Sequence, residues 1–273
     1  MLSTAPPGRC TVAVACLEAG AGSPGISIAR SLRGTNGTEV RVVALAPEAD
    51  APRLRAADLG LWSVVAAPPP AAGEPFLDAL REVHARSPVD VLLATRTPDV
   101  EALVSAEPVL RALGVRTLLP THPQLALLRA VRAEAAAGRV EGEYAVAAVA
   151  DGAGGLAGVL ALRKIKAQGE SRRWVGIAAR DEALRDAVRA FVEGPRIRGP
   201  LDLDVTRTAG GGYRVVRAEP RLPGWVHLFA SSGPNLPWVA VRLALGERLE
   251  PQRELPGGTL LVGAAWEAWM ARG

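Results

Sequence analysis

Lysine is almost missing from this 273-residue chain: of its 32 basic residues only Lys164 and Lys166 are lysine. Cysteine and histidine are as scarce, at two and three residues. Each scarcity excludes something. Cys10 and Cys16 lie six apart, the second inside a predicted strand. They are too close and too collinear for a comfortable disulfide, and no histidine stands by to complete a zinc set. His84, His122 and His227 are scattered, without a neighbouring Ser, Cys or acid at triad or metal spacing. No uninterrupted apolar run reaches the length of a membrane span. Met1–Cys10 lacks the basic start and apolar core of a secretory signal. The expectation is a soluble cytoplasmic protein with reduced thiols and no membrane partner. The net charge of +4 is spread along the chain. No basic cluster is interleaved with aromatics, so no nucleic-acid partner is expected.

What is present is apolar content enough for a real core, at 49% of residues. Thr11–Leu17 is a short apolar run suited to a buried parallel strand. It leads into Gly20-Ala21-Gly22-Ser23-Pro24-Gly25 and a helix through Leu32. A G-x-G-x-x-G between strand and helix can present backbone N–H groups to a phosphate, which makes Gly20, Gly22 and Gly25 cofactor-binding candidates. The acid that should close the second strand of a dinucleotide site is missing. Val40–Ala46 ends in Ala46-Pro47, with Glu48 the nearest carboxylate. A tight strand–helix turn is the better-supported reading of these glycines.

The alternation continues. Helices at Arg53–Leu59, Pro75–Arg86 and Val100–Leu113 alternate with strands at Leu61–Ala66, Val89–Thr95 and Val115–Leu118. That order argues for a doubly wound parallel sheet. A proline-led helix at Pro123–Ala137 ends this first unit, residues 1–139. In the second, residues 140–273, strands at Gly142–Ala150 and Leu156–Lys166 flank a turn at Asp151–Gly155. A helix at Asp181–Phe191 follows, with acids in its first turn, as the helix dipole prefers. Another spans Leu236–Gly246, and a tryptophan-bearing apolar segment covers Leu260–Met270. Lys164 and Lys166 share one strand face. They are either phosphate or carboxylate contacts or two lysines on an exposed strand.

Between those helices lies a hairpin, Leu201–Thr206 and Tyr213–Glu219, joined by a glycine-rich turn at Ala209–Gly212. Alternation sets Leu201, Leu203 and Val205 on one face and Asp202 and Asp204 on the other. Val215, Arg217 and Glu219 share a face of the second strand, and Arg221 lies just past it. Carboxylates on adjacent strands can hold Mg²⁺. Arg217 would put a fixed positive charge where that dication sits. On the residues alone, a solvated face with a cross-strand Asp–Arg pair is the better-supported reading.

GPLDLDV, then RAEPR, then SSGPNLPWVAVRLALGE, resembles the C-terminal half of an ATP-grasp carboxylate–amine ligase. GAGSPGISIARSL and VDVLLAT are similar to the domain that precedes that module. The resemblance implies an N-terminal Rossmann-like sheet with a C-terminal α+β ATP-grasp subdomain. It implies metal-side positions at Asp202, Asp204 and Glu219, with ATP and Mg²⁺ as cofactors. Lys164 and Lys166 would hold phosphates and Arg221 would polarise an acyl phosphate. Two departures stand out. The family's metal-bridging glutamate falls on Arg217, and the stretch before Gly142 is too short for the subdomain that clamps the nucleotide. The expectation is therefore a degenerate, accessory member. Its partner would be a complete ligase or a second copy, and its ligand a small-molecule or peptide carboxylate. The alternatives are an active ligase, or a nucleotide sensor using Gly20–Gly25.

Overall fold

The computed structural model describes residues 8–20, 22–33, 35, 37–131, 140–165 and 175–250, with the backbone alone at 140, 175 and 260–262. The first sheet is built from β1 (Arg9–Ala15), β2 (Glu39–Ala46), β3 (Ser63–Ala66) and β4 (Val91–Ala94). It is wholly parallel, in the order β3-β2-β1-β4. Its strands read as unbroken apolar runs because both faces are covered. Val12, Val14 and Ala44 pack beneath α1 (Pro24–Leu32) and α2 (Ala51–Ala56). Ala13, Val43 and Leu45 pack against α3 (Glu74–Arg86) and α4 (Thr97–Ala112) on the other side.

Two expectations need correcting here. Val115–Leu118 is not a strand but a single parallel bridge, Val91 with Arg116. Gly114, at φ +79°, turns the chain out of α4, and Pro120 follows without an N–H to extend a ladder. The next helix, α5, spans His122–Ala130, opened by a capping box between Thr121 and Gln124. The end of its expected length, residues 132–137, lies outside the described residues.

The second sheet is antiparallel and six-stranded. It uses β5 (Val140–Asp151), β6 (Leu156–Ile165), β7 (Val175–Ala178), β8 (Arg198–Thr208), β9 (Tyr213–Glu219) and β10 (Leu260–Val262) in the order β10-β7-β6-β5-β8-β9. β7 was not foreseen. Beyond β10, the rest of the expected Leu260–Met270 segment lies outside the described residues.

One face of this sheet carries Val146, Ala148, Leu201, Leu203 and Val205 against Leu184, Val188 and Val192 of α6 (Glu182–Glu193). The opposite face carries Ala145, Ala147, Leu160 and Leu162 against α7 (Leu236–Ala244). That second layer belongs to the same core as β1 and α1, so one apolar interior joins the two sheets. Asn235 explains why α7 sits there. Its Oδ1 accepts from the Trp238 N–H at 3.2 Å as an N-cap, and its Nδ2 donates to the Ser31 carbonyl of α1 at 2.7 Å. Ser27 and His227 add a second link at 3.0 Å, from α1 to the short helical turn Val226–Phe229. Burial pushes the His227 imidazole down to about 4, with Arg30 adding to the shift.

The halves also touch through backbone. A Cβ placed on Gly224 would stand 1.9 Å from the Gly22 carbonyl oxygen. Gly224→Ala is therefore expected to cost about 1–3 kcal/mol by forcing that contact apart, read as a lowered denaturant midpoint. An unchanged midpoint would show that the two segments separate freely.

Candidate functional site

The hairpin β8–β9 pairs Asp202 with Glu219 and Asp204 with Arg217. Side chains directly opposite share a face, so the four gather as the alternation requires. A bulge after Asp204 breaks the pattern: Val205 pairs with Val215, leaving Val216 unopposed. Val215 therefore packs toward the α6 core with Val205. It does not share the Arg217 face, contrary to expectation, because the extra residue rotates the strand by one position.

Next to the hairpin, β5 contributes Ala147 beside Asp202 and Ala145 beside Asp204. These small side chains leave room over the sheet. Lys164, from the far neighbour β6, reaches across it and places Nζ 2.5 Å from Asp204 Oδ1. Arg217 Nε donates to Asp204 Oδ2 at 2.6 Å, its Nη1 donates to Glu219, and its Nη2 stands 3.7 Å from Asp202. Arg221 bonds Glu219 Oε2 at 2.6 Å through Nε and lies 3.1 Å from Asp202 through Nη1. Three carboxylates thus face three cations, and Arg217 touches every carboxylate. Lys164, Asp202, Asp204, Arg217 and Arg221 line a cleft of about 450 Å³ whose remaining walls are Gly22, Pro24, Ala145, Pro223, Gly224 and Trp225.

The two aspartates respond oppositely to this setting. Burial pushes the Asp202 carboxyl up, outweighing Arg221 and Arg217. Burial also acts on Asp204, but hydrogen bonds from Arg217 and Lys164 outweigh it and hold that group below the usual range.

The glycine loop lies at the rim. Gly22, at φ +72°, meets Gly224, and a Cβ on Gly25 would stand 2.9 Å from Leu17 Cγ. Two of the three glycines thus serve close packing, while a Cβ on Gly20 would meet nothing within 4 Å. Lys166, and the loop Gly169–Ser171 after it, lie outside the described residues. Among the described residues, no group of three or more His, Cys, Asp and Glu is arranged to hold a metal ion. Burial pushes both Cys10 and Cys16 up to about 12, so neither thiol supplies a thiolate near neutrality.

One part of the site was missed. Where β1 and β4 end, Arg96 holds Asp99 through two bonds of 2.7 and 3.1 Å and Glu18 at 3.1 Å. Thr97 Oγ1 stands 3.4 Å from Glu219 Oε2. The strand order reverses there, β2 and β4 flanking β1, and open α/β sheets bind ligands at such points. The signal was the polar run Thr95-Arg96-Thr97-Pro98-Asp99 directly after the apolar VLLA.

Comparison of the sequence with family models and with curated proteins finds no match. Comparison of the structure does. An N5-carboxyaminoimidazole ribonucleotide synthetase solved as its ADP complex superposes with a TM-score of 0.56 at 15% identity, over 95% of this chain and 82% of that one. The N5-carboxyaminoimidazole synthase of Aspergillus clavatus gives 0.55 at 12% identity, over 93% and 82%. The L-amino acid ligase of Bacillus licheniformis gives 0.50 at 14%, over 88% and 75%. The fold is that of the ATP-grasp ligases. At these identities the likeness concerns the fold, and the chemistry has to be read from the residues.

The resemblance read from the sequence assigns Mg²⁺ to Asp202, Asp204 and Glu219, and those residues as they stand do not fit it. A hard cation needs carboxylate oxygens facing it. Here Asp202, Asp204 and Glu219 already face Arg217, with Lys164 and Arg221 completing their pairs. A dication would have to displace a guanidinium that cannot lose its proton.

The same pairing sets a pH dependence. Asp204 has a depressed folded pKa, so its stabilisation is present above the ordinary value of 3.8 and is lost as pH falls through the lower folded value. Asp204→Asn is expected to lower stability at pH 7 by about 1–3 kcal/mol and to lose less than the parent chain on acidification. Parallel denaturation curves at pH 7 and pH 3 would exclude this assignment.

Proposed function

We propose that this chain is a degenerate ATP-grasp protein, a non-catalytic subunit of a carboxylate–amine ligase or related biosynthetic complex in the cytoplasm. The observation that carries the reading is the Arg217 guanidinium among the three carboxylates at the family's metal-side positions. Forming an acyl phosphate requires a triphosphate held in line, with its charge offset by metal and basic groups. Here the basic groups are spent on the protein's own carboxylates.

Chain length supports the same reading. Only residues 131–139 separate α5 from β5, too few for an α+β subdomain. Every described strand after α5 belongs to one sheet, so the described residues supply one jaw of a nucleotide grip. The partner, a complete ligase or a second copy of this chain, would supply the other. What the cleft offers it is a charge-balanced, preorganised surface. Arg217 and Lys164 are each partly exposed and have more N–H groups than they use. Trp225 and the prolines add apolar wall. A small-molecule or peptide carboxylate fits that combination.

The alternative is an active ligase in which Lys164 and Lys166 bind phosphate, Asp202, Asp204 and Glu219 take the metal, and Arg221 polarises the acyl phosphate. What favours it is that the two synthetase structures above are described as ADP complexes. Thermal unfolding separates the readings, because a nucleotide at a hundred times its Kd adds about 2.7 kcal/mol. The accessory reading expects no shift in Tm with Mg-ATP and no ATP hydrolysis by Arg217→Glu. A large shift, or turnover in that variant, overturns it.

A further inference from the structure

Helix α4 begins beside the hairpin, where Thr97 meets Glu219. It ends about 20 Å away at Arg111, at 1.5 Å per residue. At that far end a second cleft of about 410 Å³ opens between α4, the segment after Gly114, the start of β8 and the end of α7. Its charges are of a different kind from those of the hairpin. Arg111, Arg116 and Arg198 line it, and Glu107 is the one carboxylate among its described lining residues. Glu107 stands 3.5 Å from Arg111 and 3.6 Å from Arg198. It is shared by two guanidinium groups and bonds neither at ideal distance.

Two of the arginines are fixed in place by backbone. Arg198 Nη2 donates to the Thr117 carbonyl at 2.9 Å, and Arg116 Nη1 donates to the Leu245 carbonyl at 2.8 Å. Each bond uses one N–H of a group that carries five. The others remain in a fixed fork, the geometry that takes two oxygens of one phosphate. Helices α4 and α7 both end here, and their carbonyl ends contribute about half a negative charge each. Set against three guanidiniums and one carboxylate, that still leaves the cleft net positive by about one charge. The hairpin cluster, by contrast, is balanced.

From this the geometry points to a second ligand site, for a small molecule bearing a phosphate group, clamped by Arg111, Arg116 and Arg198 at the seam between the two sheets. The ligand would bridge a side chain of the parallel-sheet half to the first residue of β8, the strand that carries Asp202 and Asp204 farther along. The site does not depend on the role assigned to the hairpin.

Inorganic pyrophosphate is the probe, titrated calorimetrically into the full chain at low salt. Saturable binding is expected, weakened about tenfold or more by Arg111→Glu, since one charged bidentate contact is both removed and reversed. Arg111 is largely exposed, so this variant should still unfold cooperatively in the absence of ligand, its midpoint lowered only slightly by loss of the Glu107 pair and of a cation at the helix end. Arg86→Glu, on the exposed end of α3, reverses the same charge outside both clefts and should bind pyrophosphate as the parent does. Absence of binding at millimolar pyrophosphate would overturn the proposal. So would equal affinity in Arg111→Glu, which would leave the arginines as clamps and helix-end counterions. Equal weakening in Arg86→Glu would make the binding a diffuse charge effect and would likewise overturn the proposal.

Discussion

A guanidinium among three carboxylates is the constraint around which this molecule is arranged. Arg217 can reach Asp202, Asp204 and Glu219 only because β8 and β9 pair in one register, and because β5 puts alanines beside the aspartates. Asp202 is buried enough that its charge needs company, and Arg221 supplies it from just beyond the strand. Each carboxylate has two basic partners, so removing one basic group leaves a partly desolvated acid with half its compensation. The cluster therefore fixes the hairpin's shape while leaving it electrically neutral.

That neutrality connects packing to chemistry. An ATP-grasp hairpin that handles a magnesium-bound triphosphate has to keep negative charge uncompensated until the metal arrives. This one is compensated from within. Around it, the reversal point of the parallel sheet, with Arg96 and Thr97, faces Glu219, and the glycine loop closes the rim by backbone contact with Gly224. A cleft whose carboxylates are already paired offers a neutral, preorganised surface. The second cleft has the opposite character, with cations in excess and backbone bonds holding them open.

Several elements were legible because their causes are local. The apolar runs of β1 and β2 and the alternation of Asp202 and Asp204 against Leu201 and Leu203 each follow from a few neighbouring residues. What was missed is non-local. The bulge that turns Val215 inward depends on how β9 meets β8. Val115–Leu118 has strand composition but finds only one bridging partner. Arg96 and Thr97 enter the site because β4 lies beside β1, a neighbour more than seventy residues distant in the chain.

By itself the sequence determined the fold class, the hairpin and the presence of a cation among its acids, since periodicities of two and 3.6 and a charge at a known offset need no partner to be read. Only the tertiary structure decided which cation pairs with which acid. Lys164 lies forty residues from Asp204, and it reaches that group because a third strand with small side chains runs between them. Distance along the chain says nothing of distance across a sheet, and electrostatic pairing is set by the second.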